Sequence, residues 1–273
     1  MDRYQLGDFE LARNERSGDL LLLVTGPTLY KSVFSRAFPD LRFSRTFEDR
    51  NGEFDWGTYI KRTDEDDEEA IAQFCELLQT VILIDDDLTE TFALGFHGRM
   101  SSSGRYERTE LGQLMRDAKP YNQIQSPGSR KRGEELAERM VQFIQAHPTY
   151  EDADLIVAVP SSNPDKPFDL PSFLVERIAE QTGQTVATRS LRKTRSTRPM
   201  KECQTIPEKL DNIRDAFEAD EAVFEGQSVI VIDDIYQSGF SLNEVGRVLE
   251  DAGAEMVLGL VATKTFQDLS EDM

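Results

Sequence analysis

The run Val229–Ile232 constrains the fold of this chain more than any other feature. Four consecutive β-branched residues form a strand that is suited to burial on both faces, as a central strand of a parallel sheet must be. Strand-like runs and amphipathic segments alternate through the C-terminal part of the sequence. Because this alternation is typical of βαβ units, we predict an α/β fold with a parallel sheet flanked by helices.

The apolar spacing gives approximate bounds for these elements. Helices are predicted at 111–118, 133–147, 172–182 and 241–251, and strands at 155–159, 186–188, 229–232 and 256–262. Residues 119–132 are polar and carry turn signals, which indicates a loop. Gly183 and Gly253 are expected to end the helices before them, and Pro148 is expected to stop the helix 133–147.

The N-terminal part gives weaker signals. Leu20–Thr25 and Val81–Ile84 are strand-like, and the acidic stretch Thr63–Glu69 indicates a linker or the start of a helix over Ala70–Leu78. We therefore predict an additional N-terminal α/β region of unknown role, which could contribute a hood or a surface for a homo-oligomer or protein partner. Residues 1–104 are assigned to this region and residues 105–273 to the main domain.

Composition excludes several classes of protein. The sequence has no apolar run of about 18 residues, which a transmembrane helix requires, and its first residues lack the apolar core of a secretory signal. Cys75 and Cys203 form no closely spaced pair, so we expect two reduced thiols in a cytoplasmic protein.

The charge distribution is uneven. The net charge of −20 argues against extensive wrapping by nucleic acid, whose phosphates would be repelled. One basic island at 189–201, RSLRKTRSTRPMK, carries six basic residues and no acid. It indicates focused binding of an anion, or else a solvated loop. Since no aromatic residues are interleaved with it, we rank nucleic-acid binding below binding of a small anion.

The strongest candidate site follows the strand at Val229–Ile232. Asp233 and Asp234 come at its carboxyl end, the edge where open α/β sheets place ligands. The next residues, 236–241, enter a helix whose free N–H groups and dipole suit a phosphate. The acids suit ribose hydroxyls or Mg²⁺. The alternative is a strand that ends in solvated acids, with Gly239 making only a turn.

Other features have ordinary explanations. Val81–Leu94, VILIDDDLTETFAL, is similar in pattern to Val229–Leu242 but lacks its glycine and serines. We therefore interpret it as a strand followed by a solvated acidic turn. His147 ends a helix, where we expect a capping role, and His97 lies in a loop without a predicted partner. Trp56 is expected in the core or at an interface.

Several motifs together resemble a known family. VIVIDDIYQSGFSL at Val229–Leu242 looks like the phosphoribosyl-pyrophosphate (PRPP) signature of type I phosphoribosyltransferases. Leu191–Phe217, with its basic loop and Asn-Ile-Arg-Asp-Ala-Phe element, resembles the ComF-like, amidophosphoribosyltransferase-like branch. Thr109–Tyr121 and Leu155–Ser162 match the order of that branch, so the resemblance covers about residues 105–265.

The resemblance implies a reaction and a set of roles. The protein would bind PRPP with Mg²⁺ and transfer its ribose 5-phosphate to a nitrogenous acceptor, with pyrophosphate release. The implied 5′-phosphate-binding residues are Tyr236, Gln237, Ser238, Gly239, Phe240 and Ser241. The implied catalytic and metal-binding residues are Asp233 and Asp234, and the implied pyrophosphate-binding residues are Ser161, Ser162, Lys193, Arg195 and Arg198.

The sequence also departs from the family pattern. Gln237 and Phe240 are bulkier than the usual loop residues, and the segment Lys166–Leu170 replaces an Arg-Gly-Phe-Asn-like element. Two alternatives to an enzyme therefore stay open. One is a non-catalytic sensor that binds PRPP or a nucleotide, and the other is an accessory protein for DNA uptake or DNA processing.

Overall fold

The computed structural model describes residues 5–49, 51–120, 125–161, 167–198 and 202–266. Residue contacts divide the chain into two compact units. The first unit comprises Met1–Asp85 and Phe143–Glu151, and the second comprises Asp86–Gln142 and Asp152–Met273. The domain boundary predicted after residue 104 differs in position from this division and stays a prediction.

The described residues form the following elements. The strands are β1 Phe9–Arg13, β2 Leu20–Val24, β3 Arg42–Phe43, β4 Trp56–Lys61, β5 Ile82–Ile84, β6 Glu90–Ala93, β7 Gly98–Met100, β8 Tyr106–Arg108, β9 Leu155–Ala158, β10 Thr185–Val186, β11 Leu191–Lys193, β12 Phe217–Ala219, β13 Ser228–Tyr236 and β14 Met256–Lys264. The helices are α1 Tyr30–Ala37, α2 Glu65–Thr80, α3 Glu110–Ala118, α4 Pro127–Ala146, α5 Pro148–Glu151, α6 Leu170–Thr182, α7 Ile206–Ile213, α8 Glu221–Phe224 and α9 Phe240–Asp251.

The first unit contains an antiparallel sheet with the strand order β1-β2-β4-β3. Leu20, Leu22 and Val24 alternate along β2 and are fully buried, as one apolar face of an antiparallel strand should be. Trp56 is 2% exposed, and its indole N–H donates to the Gly26 carbonyl at 3.0 Å. Trp56 is therefore a core residue, which is one of the two roles expected from the sequence.

Helix α2 begins at the acidic stretch, as the sequence indicated. The Asp64 carboxylate accepts from the Asp67 N–H, and the Asp67 carboxylate accepts from the Asp64 N–H. This capping box satisfies two N–H groups that would otherwise lack acceptors. The acidic residues of the first turn also face the positive end of the helix dipole.

His147 lies directly after the last residue of α4, where we expect a capping role, but its side chain is not at the surface. Its side chain is fully buried, with ring centroids 4.8 Å from Phe74, 5.3 Å from Phe143 and 4.8 Å from Tyr150. Helix α4 ends at Ala146 and α5 begins at Pro148, so His147 lies at the junction of the two helices. The ring belongs to the aromatic core of the first unit.

The second unit is built on a parallel sheet, which confirms the predicted α/β fold. Its strands follow the order β10-β9-β13-β14-β6, and each neighbouring pair is parallel. The apolar parts of β13 and β14 are completely buried. Helices α3, α6 and α9 pack against these strands, and α6 ends at Gly183 in the left-handed conformation, as predicted.

Several predicted bounds need correction. Strand β13 extends four residues past Ile232, so both acids lie within the strand, because main-chain pairing with β14 continues to Tyr236. Helix α4 begins at Pro127, inside the segment predicted to be a loop. The basic island contains strand β11, which pairs with β12, and so it is not a loop throughout.

Two further observations concern helix composition and the cysteines. The part of the chain that the structure describes contains no helix long and apolar enough to cross a membrane. Cys75 and Cys203 are both buried and unbridged, as expected. Burial raises the pKa of the Cys75 thiol well above its ordinary value, so this thiol is inert.

We predict that Gly112→Ala in α3 destabilises the protein by about 2 kcal/mol or more. Alanine favours a helix by about 1 kcal/mol, but a Cβ at Gly112 would lie 1.8 Å from the His97 carbonyl oxygen. Overpacking against main chain costs about 1–3 kcal/mol or more. Urea unfolding measures the change in free energy.

The matched control is Gly128→Ala in α4. A Cβ there meets only the Ser126 hydroxyl at 3.7 Å, an ordinary contact. This variant should be neutral or slightly stabilised. Equal effects of the two alanines would contradict the close approach of α3 to His97.

Candidate functional site

An open pocket of about 140 Å³ lies where strand β13 leads into helix α9. It is lined by Asp233 and by residues 235–242. All six residues of the predicted 236–241 loop therefore line one pocket together with one of the two predicted acids. The position agrees with the rule that ligands bind at the carboxyl ends of parallel strands.

Gly239 gives the loop its shape. Its φ of +73° lies in the left-handed region, which side chains rarely adopt. A Cβ at this position would also lie 2.3 Å from the Tyr236 hydroxyl oxygen. The turn and the close approach both require glycine at this position.

The N-terminus of α9 is open toward the pocket. Gly239 is the N-cap residue, and the Asn243 N–H donates to its carbonyl at 2.8 Å. Within the described residues no side chain caps this helix. The first N–H groups of a helix have no acceptor inside it, and they carry the positive end of the dipole. The arrangement therefore offers main-chain donors to an anion.

The two carboxylates are not equivalent. Consecutive side chains of a strand point to opposite faces, so Asp233 lines the pocket while Asp234 turns away from it. The Asp234 N–H donates to Asp233 Oδ1 at 2.8 Å. Desolvation, and then the charge of Asp234, raise the pKa of Asp233 well above its ordinary value. A nearby cation or hydrogen-bond donor would therefore stabilise the ionised form of Asp233.

Lys119 is a residue of this site that the sequence did not reveal. Its Nζ lies 2.7 Å from Asp234 Oδ2, and the Asp234 side chain is only 14% exposed. Lys119 follows the end of α3, far from Asp234 along the chain. The only sequence signal was its place in TELGQLMRDAKPY, one of the family-like segments. The ion pair places a positive charge directly beside Asp234.

His97 lies beside the same charges. Its Nδ1 is 3.4 Å from the Thr263 hydroxyl, and its main-chain N–H donates to Lys264. Partial burial, and then the charges of Arg108 and Lys119, lower the pKa of His97. These effects favour the neutral form of the imidazole. Sequence reasoning found no partner for it, because these contacts come from remote segments.

The described residues that are predicted to bind pyrophosphate are not among those that line the pocket. Ser161 follows the end of β9, and Ser162 lies outside the described residues. Lys193 Nζ donates to the Thr197 hydroxyl at 2.6 Å, and burial is the main cause that lowers its pKa. Its ammonium also lies 5.4 Å from the centre of the Phe217 ring.

The two predicted arginines of the basic island contact the end of α7. Arg195 donates to the carbonyls of Asp211 and Arg214, at 3.3 and 2.6 Å. The Arg198 main chain exchanges two hydrogen bonds with the Asn212 amide, both 2.9 Å long. Neither arginine lines the pocket at Asp233. The basic island is thus anchored to the Asn-Ile-Arg-Asp-Ala-Phe element through carbonyl and amide groups.

The interpretation of the acidic turn after β5 as merely solvated is wrong for one residue. Asp85 and Asp87 are exposed, but Asp86 is largely withdrawn from solvent. Its Oδ1 accepts from the Leu88 N–H at 3.2 Å and from the Thr91 hydroxyl at 3.0 Å. Burial raises the pKa of Asp86 to about 6, against the opposing effect of these hydrogen bonds.

The described residues contain no group of three or more acidic, histidine or cysteine side chains that could hold a metal ion. Magnesium, however, is commonly bound by one or two carboxylates together with substrate phosphates and water. The Asp233 carboxylate at the pocket wall fits that pattern, since a cation beside it would relieve its uncompensated charge. Asp234 is already engaged by Lys119. The residues therefore fit a Mg²⁺ ion that arrives with a phosphorylated substrate.

The segment 171–265 matches the sequence model of the phosphoribosyl transferase domain. The match includes both carboxylates and the whole 236–241 loop. This part of the chain is therefore similar to a phosphoribosyl transferase domain, as the resemblance implied. The ComF-like branch stays a prediction. No curated protein sequence matches the chain.

Solved structures with a similar chain path include enzymes of nucleotide metabolism. Glutamine PRPP amidotransferase from B. subtilis, complexed with ADP and GMP, is 13% identical with a TM-score of 0.38, over 89% of this chain and 46% of that one. The allosteric regulatory enzyme of purine biosynthesis is 15% identical with a TM-score of 0.36, over 89% and 44%. Adenine phosphoribosyltransferase from Saccharomyces cerevisiae is 18% identical with a TM-score of 0.35, over 72% and 89%. The chain thus spans less than half the length of the first two.

We predict that Asp86→Asn changes how stability depends on pH. The folded protein binds the Asp86 proton more tightly than the unfolded chain, because the pKa is about 6 when folded and 3.8 in the ordinary carboxyl. The stabilising contribution of this proton is therefore present below about pH 4 and is lost as the pH rises through 6, a change of at most about 3 kcal/mol. An asparagine at position 86 cannot ionise, so the variant does not lose this stability as the pH rises.

Urea unfolding at several pH values between 4 and 7.5 tests this expectation. The free energy of unfolding of Asp86→Asn, relative to the wild type, should rise with pH up to about pH 7 and stay constant above it. Asp85→Asn removes an exposed neighbouring charge and should keep the wild-type pH dependence. Parallel curves for Asp86→Asn and the wild type would show that Asp86 is not a buried carboxyl.

Proposed function

We propose that this protein binds PRPP at the pocket beside Asp233 and transfers its ribose 5-phosphate to a nitrogenous acceptor, with release of pyrophosphate. The observation that carries the proposal is the uncapped N-terminus of α9, which opens into a pocket next to a carboxylate. This pocket lies inside the segment that matches the phosphoribosyl transferase domain. Phosphoribosyl transfer in general is what this combination supports best.

The 5′-phosphate would bind to the 236–241 loop. Main-chain N–H groups at the start of α9 would donate to its oxygens, and the hydroxyls of Ser238 and Ser241 would add donors. Because most of these donors belong to the main chain, the bulky Gln237 and Phe240 do not remove them. Asp233 would accept hydrogen bonds from the ribose hydroxyls.

The chemistry requires stabilisation of positive charge at C1′. A lone pair of the acceptor nitrogen forms the new N–C1′ bond while the C1′–O bond to pyrophosphate breaks, and the bonding electron pair leaves with the pyrophosphate. The acceptor then releases a proton to solvent. The oxocarbenium-like transition state is stabilised by the carboxylate at the pocket wall. Magnesium, when bound, would neutralise charge on the leaving pyrophosphate.

Cations would be needed for the pyrophosphate. Lys193, Arg195 and Arg198 keep this proposed role, since the basic island could move over the bound substrate. Lys193 and Arg195 would have to exchange their present contacts with Thr197 and the α7 carbonyls for phosphate oxygens. Ser161, after β9, would donate to the same group together with Ser162.

A second candidate is a non-catalytic sensor of PRPP or a nucleotide. Two observations favour it specifically: the bulky loop residues Gln237 and Phe240 line the pocket, and Arg195 is held by carbonyls of its own chain. A role in DNA uptake or DNA processing ranks third, through the basic island. A cytoplasmic location and a role of residues 1–104 in oligomerisation or partner binding are part of the proposal.

We predict that Asp233→Asn/Asp234→Asn weakens PRPP binding in the presence of Mg²⁺ by about 100-fold or more. Two charge-assisted interactions of about 1.5 kcal/mol or more each would be lost, and 1.4 kcal/mol corresponds to a factor of ten. Titration calorimetry with PRPP and Mg²⁺ measures the affinity. The melting temperature should change little, because removal of the Asp233 charge that burial disfavours offsets the loss of the Lys119–Asp234 ion pair.

The matched control is Glu151→Gln/Asp152→Asn. It changes the net charge equally at two adjacent exposed acids and should leave the PRPP affinity unchanged. If the Asp233/Asp234 variant binds PRPP as tightly as the wild type, the assignment of the site is wrong.

Turnover separates the enzyme from the sensor. We expect pyrophosphate release when the protein is incubated with PRPP, Mg²⁺ and a panel of purine, pyrimidine and simple amine acceptors, and no release from the Asp233/Asp234 variant. A coupled pyrophosphate assay measures this. Saturable PRPP binding without release for any acceptor would favour the sensor instead.

A further inference from the structure

The residues after β5 reach the loop that would hold the 5′-phosphate. The hydroxyl of Tyr236, the first residue of the 236–241 loop, lies close enough to the Asp86 carboxylate to favour its charged form. Asp86 is itself fixed by the Leu88 N–H and the Thr91 hydroxyl. An acidic turn that resembled a second binding motif in the sequence therefore contacts the first one in space.

Tyr236 is held from three sides and is 9% exposed. Its carbonyl accepts from the N–H and the hydroxyl of Thr265, at 2.9 and 3.2 Å. The Lys264 ammonium lies 5.3 Å from the centre of its ring. The Asp86 carboxylate faces the hydroxyl at the far end of the ring. The phenol oxygen consequently has one defined position in the structure.

The turn at Gly239 rests on that oxygen. The Cβ position of Gly239 lies only 2.3 Å from the Tyr236 hydroxyl, so the glycine main chain is in close contact with it. The 236–241 loop therefore packs on the phenol group of Tyr236. Displacement of the hydroxyl would remove the support beneath the residue that begins α9.

The same acidic turn also supports α9. The Asn243 amide donates to the Asp87 carboxylate at 3.2 Å. The Leu88 side chain packs against Gly246, where a Cβ would lie 2.8 Å from it. Residues 86–88 therefore contact the loop and the first two turns of the helix. All of these residues belong to the second unit.

We propose that Asp86 and Tyr236 are positioning residues for the 5′-phosphate, which together hold the 236–241 loop in its binding conformation. Neither residue needs to touch the reacting atoms. The pair fixes the phenol oxygen, the oxygen supports Gly239, and Gly239 directs the first N–H groups of α9 into the pocket. This inference rests on the proposed function, because it assigns the loop to the phosphate.

The experiment combines Tyr236→Phe, Asp86→Ala and the double variant. Tyr236→Phe keeps the ring and removes only the hydroxyl. We expect each single variant to weaken binding of PRPP with Mg²⁺ by about tenfold, and the double variant to weaken it no further, because both changes break one interaction. Calorimetry measures the affinities.

Hydrogen exchange of the protein without ligand gives an independent readout. In Tyr236→Phe and Asp86→Ala, peptides covering residues 237–241 should exchange about tenfold faster, while peptides of β14 should be unchanged. Asp86→Asn keeps the shape of the side chain and a polar atom facing the hydroxyl, so it should stay within about threefold of the wild type in both measurements. The controls are Asp85→Asn and Tyr59→Phe, two exposed residues outside the pair.

Wild-type exchange of residues 237–241 in both single variants would overturn the proposal, as would strictly additive effects on PRPP affinity. A uniform rise in exchange across the second unit would also overturn it, since the pair would then be a general core contact. If the wild type does not bind PRPP, the proposed function fails. The exchange measurement still decides whether Asp86 and Tyr236 hold the loop.

Discussion

The burial of strand β13 is the constraint on which the rest of the structure depends. Main-chain pairing with β9 and β14 extends this strand until it carries two carboxylates to the edge of the sheet. Burying charge there is costly, and the raised pKa of Asp233 expresses that cost. The protein compensates only part of it, through the Asp234 N–H and the Lys119–Asp234 ion pair. Under the proposed function, ribose hydroxyls or a cation would compensate the remaining part.

The start of α9 lies next to Asp233 and has the opposite electrostatic character. Main-chain N–H groups and the helix dipole attract an anion, while Asp233 attracts donors or a cation. A ligand that joins a phosphate to hydroxyl groups would satisfy both sides of the pocket. The turn at Gly239 packs closely on the Tyr236 hydroxyl, and the Asp86 carboxylate faces that hydroxyl. Few side chains other than glycine and tyrosine would fit this arrangement.

Local features of the site could be predicted because they depend on neighbours in the chain. The strand, the acids, the 236–241 loop and the helix are consecutive, and the structure places them around one pocket. Lys119 could not be predicted as a partner of Asp234, because α3 and β13 meet only through the tertiary fold. The basic island illustrates the same limit, since its charge was evident, whereas the hydrogen bonds of Arg195 to the end of α7 were not.

The sequence by itself determined the parallel α/β architecture and the chemistry of the 236–241 loop, since β-branched runs, helical periodicity and a glycine turn are local properties of the chain. Only the tertiary structure decided which carboxylate faces the pocket, which cation pairs with the other, and why Asp86 is buried. Strand pairing beyond Ile232 turns Asp233 and Asp234 to opposite faces of the sheet. Contacts between remote segments then set the local dielectric and the neighbouring charges, which no stretch of sequence encodes alone.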